Sequence, residues 1–163
     1  MKNVYLSILV LFLALNVSAQ NNSKPKIYNP DIDVNVQLEE AIGKAKAEGK
    51  NVLIQIGGNW CSWCLKFHKF VKDNPELDSL VNENYVYILL NIDRDHKHKE
   101  MMKKLRFPNR FGYPVFVILD GDGRYQHTQN SALLELGKSY DIKKVKEFLG
   151  NWTVKAISPE IMK

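Results

Sequence analysis

Val34, Leu38, Ala41, Ile42 and Ala45 recur at the spacing of one helix face, and Gly49 follows as a stop signal. Residues 51–56 (NVLIQI) are a nearly unbroken apolar run ending at Gly57 and Gly58, which predicts a strand covered on both faces. Helical spacing then resumes. Phe67, Phe70 and Val71 continue the face begun by Cys64, until Asp73-Asn74-Pro75 breaks it. A short helix fits residues 76–81, and YVYILLNI at 85–92 predicts a second buried strand. Residues 93–99 read as a charged loop and 101–105 as a short helix. PVFVIL at 114–119 is a third strand. Asp120-Gly121-Asp122-Gly123 is a hairpin turn, and residues 124–128 return as a fourth strand. Ile142, Val145, Phe148 and Leu149 mark a last amphipathic helix, with Ser139 or Asp141 as its cap.

Strands joined by crossover helices lie parallel, so the first three strands are expected parallel, with the closing hairpin adding an antiparallel edge. The fold class is α/β: a mixed central sheet of about four strands with helices on both faces. A chain of 163 residues holds one such domain, expected over 34–152. Residues 20–33 are polar, with Pro25 and Pro30, and read as a linker or loosely docked N-terminal arm. Residues 153–163 read as a C-terminal tail.

The chain starts MKNVYLSILVLFLALNVSAQ. One positive residue, Lys2, precedes an apolar stretch from Val4 to Leu15, and Val17-Ser18-Ala19 supplies small residues. This predicts a secretory signal peptide at 1–19, cleaved after Ala19. The apolar stretch is shorter than the ~20 residues that span a bilayer. The mature protein is therefore expected to be exported, to a periplasm or beyond. The formal net charge is +5, with lysines scattered as singles and pairs such as Lys103-Lys104 and Lys143-Lys144. On helical polar faces these make a solvated surface rather than a nucleic-acid interface.

Both cysteines lie in GGNWCSWCLKF, residues 57–67, between the first strand and the helix after it. If Cys61 sits at the first turn of that helix, unpaired backbone N–H groups and the positive end of the helix dipole favour its thiolate. Cys64, three residues on, lies on the same face one turn deeper, more buried and less acidic. An accessible thiolate that attacks and a sheltered thiol that resolves are what two-step disulfide exchange needs. Two other readings stand beside this one. A zinc or copper site would need more ligands than the pair and His68 provide, and His96 and His98 sit far along in a charged loop. A purely structural disulfide closing so small a loop would restrict the unfolded chain little.

WCSWC after an apolar strand, with Gly112-Tyr113-Pro114 opening a later strand, resembles the thioredoxin superfamily. The likeness is to secreted bacterial thioredoxin-like proteins whose pair reads W-C-x-W-C, and it spans roughly residues 34 to 150. The resemblance implies a thioredoxin-like fold and an exported thiol–disulfide oxidoreductase, with Cys61 as nucleophile and Cys64 as resolving residue of a redox-active disulfide. It also implies a cis bond between Tyr113 and Pro114, facing that disulfide. Trp60, Trp63, Tyr113 and Pro114 are then the candidate substrate-binding residues. For Trp63, exposed at a helix start, packing on the Asn59 loop or on Tyr113 is the alternative role. His68 reads as a surface helix residue. No metal or organic cofactor is implied. The expected partners are protein thiols and disulfides and another redox protein, such as a membrane reductase, with the chain itself a monomer. Two alternatives remain: a protein-binding module of the same fold, and a metallochaperone using Cys61, Cys64 and His68. Two positions depart from the family. Gln55 stands where many thioredoxins bury an aspartate, and an amide cannot act as a base near neutral pH. Ser62-Trp63 replaces their Gly-Pro.

Overall fold

The computed structural model describes residues 26–92 and 98–158. The expected signal peptide at 1–19, the start of the arm, most of the charged loop with His96, and the end of the tail lie outside those residues.

Helix α1 (Val34–Glu48) starts at Asp33, whose carboxylate accepts the amides of Asn35 and Val36, and ends at Gly49 in the left-handed conformation, φ 65°. Strand β1 (Asn51–Gly57) is buried along its whole length. Helix α2 (Ser62–Asp73) follows the cysteine loop, and α3 (Pro75–Asn84) begins with Pro75 in its first turn, where its missing N–H is harmless. Strand β2 (Tyr85–Asn91) pairs parallel with β1, matching Asn51 to Tyr85 and Gly57 to Asn91. Helix α4 (Lys99–Lys104) and a 3-10 turn at Pro108–Phe111 lead to β3 (Val115–Leu119), and β4 (Tyr125–Asn130) returns beside it. Two short strands, β5 (Glu135–Leu136) and β6 (Ser139–Tyr140), form a separate ribbon. Helix α5 (Ile142–Asn151) is capped by Asp141, which accepts from the amides of Lys143 and Lys144. Of the two expected caps the aspartate is used, because Ser139 is engaged in β6.

The main sheet runs β2-β1-β3-β4. It is mixed and four-stranded, as expected, but β3 is antiparallel to β1 rather than parallel. The reason is where the connection stays. Strand β2 ends level with Gly57, and β3 begins with Val115 opposite Ile56, at that same end of the sheet. Helix α4, six residues long, rises only about 9 Å, while the sheet is about 23 Å from end to end. Having never crossed back, the chain re-enters the sheet in the opposite direction. Arg106 and Phe107 make the reversal possible, both with left-handed backbone (φ 63° and 54°) that residues other than glycine seldom adopt.

Alternation along the strands divides the core in two. Val52, Ile54, Ile56, Val115 and Val117 face α1 and α4, with Leu38, Ala41, Met101 and Leu105. Leu53, Phe116 and Ile118 face α2, α3 and α5, with Phe67, Val71, Leu77, Phe148 and Leu149. The Phe67 and Phe116 rings meet at 4.2 Å. Each such buried aromatic contributes roughly 1.5–3 kcal/mol through burial. At the far end of β1, Asn51 Nδ2 donates to the Trp152 carbonyl and Thr153 is buried, so the start of the expected tail is packed against the domain.

Candidate redox site

Gly57 ends β1 and the chain turns sharply into α2. Cys61 is the N-cap of that helix, and its sulfur accepts the backbone N–H of Cys64 at 3.2 Å. The helix end therefore points its free donors and its positive pole at Cys61. The two sulfurs are joined as a disulfide, with Cα atoms 5.2 Å apart. Cys64 is fully buried and Cys61 is 7% exposed. The asymmetry runs in the expected direction, though Cys61 is more covered than a helix start alone suggests.

Two glycines explain how the disulfide fits. A Cβ on Gly57 would lie 2.4 Å from the Cys64 sulfur, and one on Gly58 would lie 2.4 Å from the Trp60 indole nitrogen. The pair thus leaves room for the sulfur and for the ring that folds back over the loop. Trp60 donates to the Ile92 carbonyl at 2.8 Å and packs edge-on against Tyr113, centroids 5.5 Å apart. It stays 37% exposed.

The Tyr113–Pro114 bond is cis, as the resemblance implies. Pro114 is buried directly ahead of the Ile56–Val115 pair, and half-buried Tyr113 packs against the cluster that holds both cysteines. The antiparallel entry of β3 is what delivers this turn to the disulfide end of the sheet.

Trp63 packs against the cluster that holds both cysteines, and its main partner is one the sequence did not suggest. It is half-buried, edge-on to Tyr140 at 5.3 Å, with its carbonyl accepting the Tyr140 hydroxyl and the Lys66 ammonium over its ring. The ribbon β5–β6, too short to show a period in the sequence, brings Tyr140 there. His68 is likewise not a simple surface residue. Its ring stacks on Tyr87 at 6.0 Å and its Nδ1 is buried without a hydrogen-bond partner. Burial, with Lys72 nearby, pushes its pKa below the usual histidine value. His98 lies just ahead of α4. Among the described residues no three metal-ligating side chains come together.

Gln55 is fully buried behind the disulfide. Its Nε2 donates to the Cys64 carbonyl at 3.0 Å and to the Tyr28 hydroxyl, and its Oε1 accepts the Tyr87 hydroxyl proton. Tyr28 was not foreseen as part of the site. The arm that carries it is clamped by Asn59, whose Oδ1 accepts the amides of Ile27 and Tyr28 and whose Nδ2 donates to the Tyr28 carbonyl. Of the two expectations for the arm, linker or docked segment, the described part is docked, and Tyr28 is 2% exposed. The one signal for this was an Ile-Tyr pair inside an otherwise polar stretch.

A hollow of ≈ 450 Å³ lies between Lys46, Asn51, Asp122 and Ile157, at the N-terminal end of β1 and so at the end of the sheet opposite the disulfide. It has no part in the cysteine chemistry.

A family model described as thioredoxin-like matches residues 33–121. Spermatogenesis-associated protein 20 of Mus musculus is 33% identical over 70 residues, 43% of this chain and 8% of that protein. The thiol:disulfide interchange protein DsbD of Escherichia coli (strain K12) is 26% identical over 93 residues, 57% of this chain and 15% of that protein. The match therefore takes in only a small part of either curated relative. Among solved structures, a disulphide isomerase from Xylella fastidiosa Temecula1 superposes with TM-score 0.69 at 20% identity, covering 78% of this chain and 96% of that one. A thioredoxin from Thermus thermophilus superposes with TM-score 0.52 at 21% identity, covering 73% of this chain and 85% of that one. These structures share the fold. With the matched stretch running from the cap of α1 to the β3–β4 turn and taking in Cys61, Cys64 and Pro114, the chain belongs to the thioredoxin-like family.

Proposed function

We propose that the protein is an exported thiol–disulfide oxidoreductase that exchanges disulfides with protein substrates through Cys61 and Cys64. The observation that carries this reading is the position of the pair: a disulfide whose less buried sulfur caps a helix N-terminus. In the reduced protein that sulfur is favoured as a thiolate, the attacking form. It attacks a substrate disulfide, forming a mixed disulfide and releasing one substrate sulfur. Cys64 then attacks Cys61, the Cys61–Cys64 bond forms, and the second substrate sulfur leaves as a thiolate. Two electrons pass to the substrate, and a redox partner protein restores the dithiol. The reverse sequence oxidises a substrate dithiol.

Trp60, Tyr113 and Pro114 line the approach to the pair. Tyr113, held by the cis bond beside the sulfurs, is placed for an extended substrate segment to align along its backbone. Trp63 supports this surface from below through Tyr140. The thiol:disulfide interchange protein and the disulphide isomerase named above are in keeping with such an activity. Export rests on the leader predicted at 1–19, and the domain is proposed over 34–152, with the arm docked on it and Thr153 packed at its end.

Turnover of insulin disulfides with a dithiol donor tests the reading. Activity lost in Cys61→Ser supports it. No turnover by the native protein as either reductant or oxidant, with intact fold, contradicts it.

A further inference from the structure

The family match begins at residue 33, yet a hydroxyl from the arm before it reaches the buried side of the disulfide. Tyr28 packs in one cluster with Cys61 and Cys64. The space that a Cβ on Gly57 would fill lies 2.4 Å from the Cys64 sulfur and 3.0 Å from the Tyr28 hydroxyl oxygen, so sulfur and hydroxyl border the same small gap.

The hydrogen bonds around Gln55 fix which way the protons run. Both hydrogens on its Nε2 are used, one toward the Cys64 carbonyl and one toward the Tyr28 oxygen. Its Oε1 is taken by the Tyr87 hydroxyl. Tyr28 is therefore an acceptor toward Gln55, and its own proton is left for another partner. The group across the gap is the Cys64 sulfur. Among the described residues the buried polar side chains are Asn51, Gln55, Ser131 and Thr153, so no carboxylate is buried there to serve it.

Resting on the exchange reading above, we infer that the Tyr28 hydroxyl donates a hydrogen bond to the Cys64 sulfur when that sulfur is a thiolate, with Gln55 orienting the hydroxyl. Tyr28 keeps its proton throughout, since burial raises its pKa. The Cys64 proton goes to solvent before resolution. The sulfur then attacks Cys61, the bond from Cys61 to the substrate breaks, and the departing substrate thiolate takes a proton from water. A neutral donor lowers the pKa of Cys64, whereas a buried carboxylate in the same place would raise it.

The other titratable or charged groups around the sulfur are few. Cys61, Lys66 and His68 lie on or at the start of α2, Tyr87 on β2, Tyr113 ahead of β3, and Tyr140 behind Trp63. At the resolving step Cys61 is bonded to the substrate sulfur and carries no charge, so none of these groups is then anionic near neutral pH; before substrate attack the Cys61 thiolate is the one anion among them.

The test is stopped-flow reaction of the reduced full chain with the aromatic disulfide dithiobis(nitrobenzoate), across pH. The first release of chromophore reports attack by Cys61 and the second reports resolution by Cys64. Losing a hydrogen bond to a charged group lowers the Cys64 thiolate fraction in Tyr28→Phe by about tenfold. Because a more basic thiolate is also more nucleophilic, the net slowing of the second phase at neutral pH is about threefold. Above the raised pKa the order reverses and the variant resolves faster. The first phase stays unchanged. Such a crossing pH profile is not produced by loss of packing. Asn59→Ala, which releases the arm, is expected to move the second phase in the same sense.

Two phases in the native protein with an unshifted second phase in Tyr28→Phe overturn the inference and leave the exchange reading standing. Absence of both phases in the native protein overturns the exchange reading itself. Should Tyr28→Phe fail to fold, titration of labelled Cys64 in Cys61→Ser, where no neighbouring thiolate raises it, decides. A pKa at or below the ordinary thiol value of about 8.5 supports the donor, and a value raised above it, as for a buried thiol in apolar surroundings, overturns it.

Discussion

The amide N–H of Cys64 donates to the sulfur of Cys61 at 3.2 Å, so the first cysteine caps the helix that carries the second. This relationship separates the two sulfurs chemically. One meets the free donors of a helix end. The other lies a turn inside, buried, with its carbonyl tied to Gln55. Removing either should therefore stop turnover at a different stage. Cys61→Ser is expected to form no adduct with a disulfide substrate. Cys64→Ser is expected to capture substrate as a lasting mixed disulfide, visible by non-reducing electrophoresis and mass. Capture by both variants alike would contradict the assignment.

Gly57 is expected to tolerate no side chain. In Gly57→Ala the new Cβ meets the Cys64 sulfur at 2.4 Å, and overpacking of this kind destabilises by about 1–3 kcal/mol. Gly43→Ala is the contrast. That glycine lies in α1 with nothing within 4 Å of the new methyl, and alanine there is expected to stabilise by about 0.5–1 kcal/mol. Denaturant midpoints of the two oxidised variants should move in opposite directions.

Trp63 and Tyr140 are expected to act as a unit. Their edge-on rings at 5.3 Å should couple by about 0.5–1.5 kcal/mol in a double-mutant cycle of Trp63→Leu and Tyr140→Leu. Additive effects would show that Trp63 owes its place to something other than this contact.

His68 gives the fold a pH dependence with a definite sign. Its folded-state pKa is depressed, first by burial and then by Lys72. The unfolded chain takes up the proton at about 6.5, before the folded one does. Stability is thus full above that pH, falls as the pH drops through it, and levels off below the lowered folded pKa. The carboxylates of Asp33, Glu48, Asp78 and Asp122, whose pKa values are also lowered, add their own loss further down, as the pH falls from about 4. Unfolding midpoints between about pH 7.5 and 5 should fall in the native protein and stay flat in His68→Leu.

What could be read from the sequence was what sits close together along the chain. The W-C-x-W-C stretch, the strand before it and the helix after it are contiguous, so a helix start near Cys61 could be supposed from the sequence. The part played by Gly112-Tyr113-Pro114 came from the resemblance to the thioredoxin superfamily. The direction of β3 could not be read, because it depends on which end of the sheet an irregular connection leaves from, and apolar runs carry no sense of direction. The parts of the site hidden in the sequence are those made by distant partners. Tyr28 reaches Gln55 across 27 positions, and Tyr140 reaches Trp63 across 77. A tyrosine in a polar arm and a two-residue strand show no periodicity. Only the fold reveals that both press on the cysteine helix.

The account depends most on the acidity of Cys61. The direct measurement is the thiolate absorbance of the reduced protein as a function of pH, with Cys64→Ala isolating the single sulfur. The account predicts a midpoint within the range of about 3.5–7.5 seen for thiols held at helix N-termini. A midpoint at the ordinary value near 8.5 or above would contradict it.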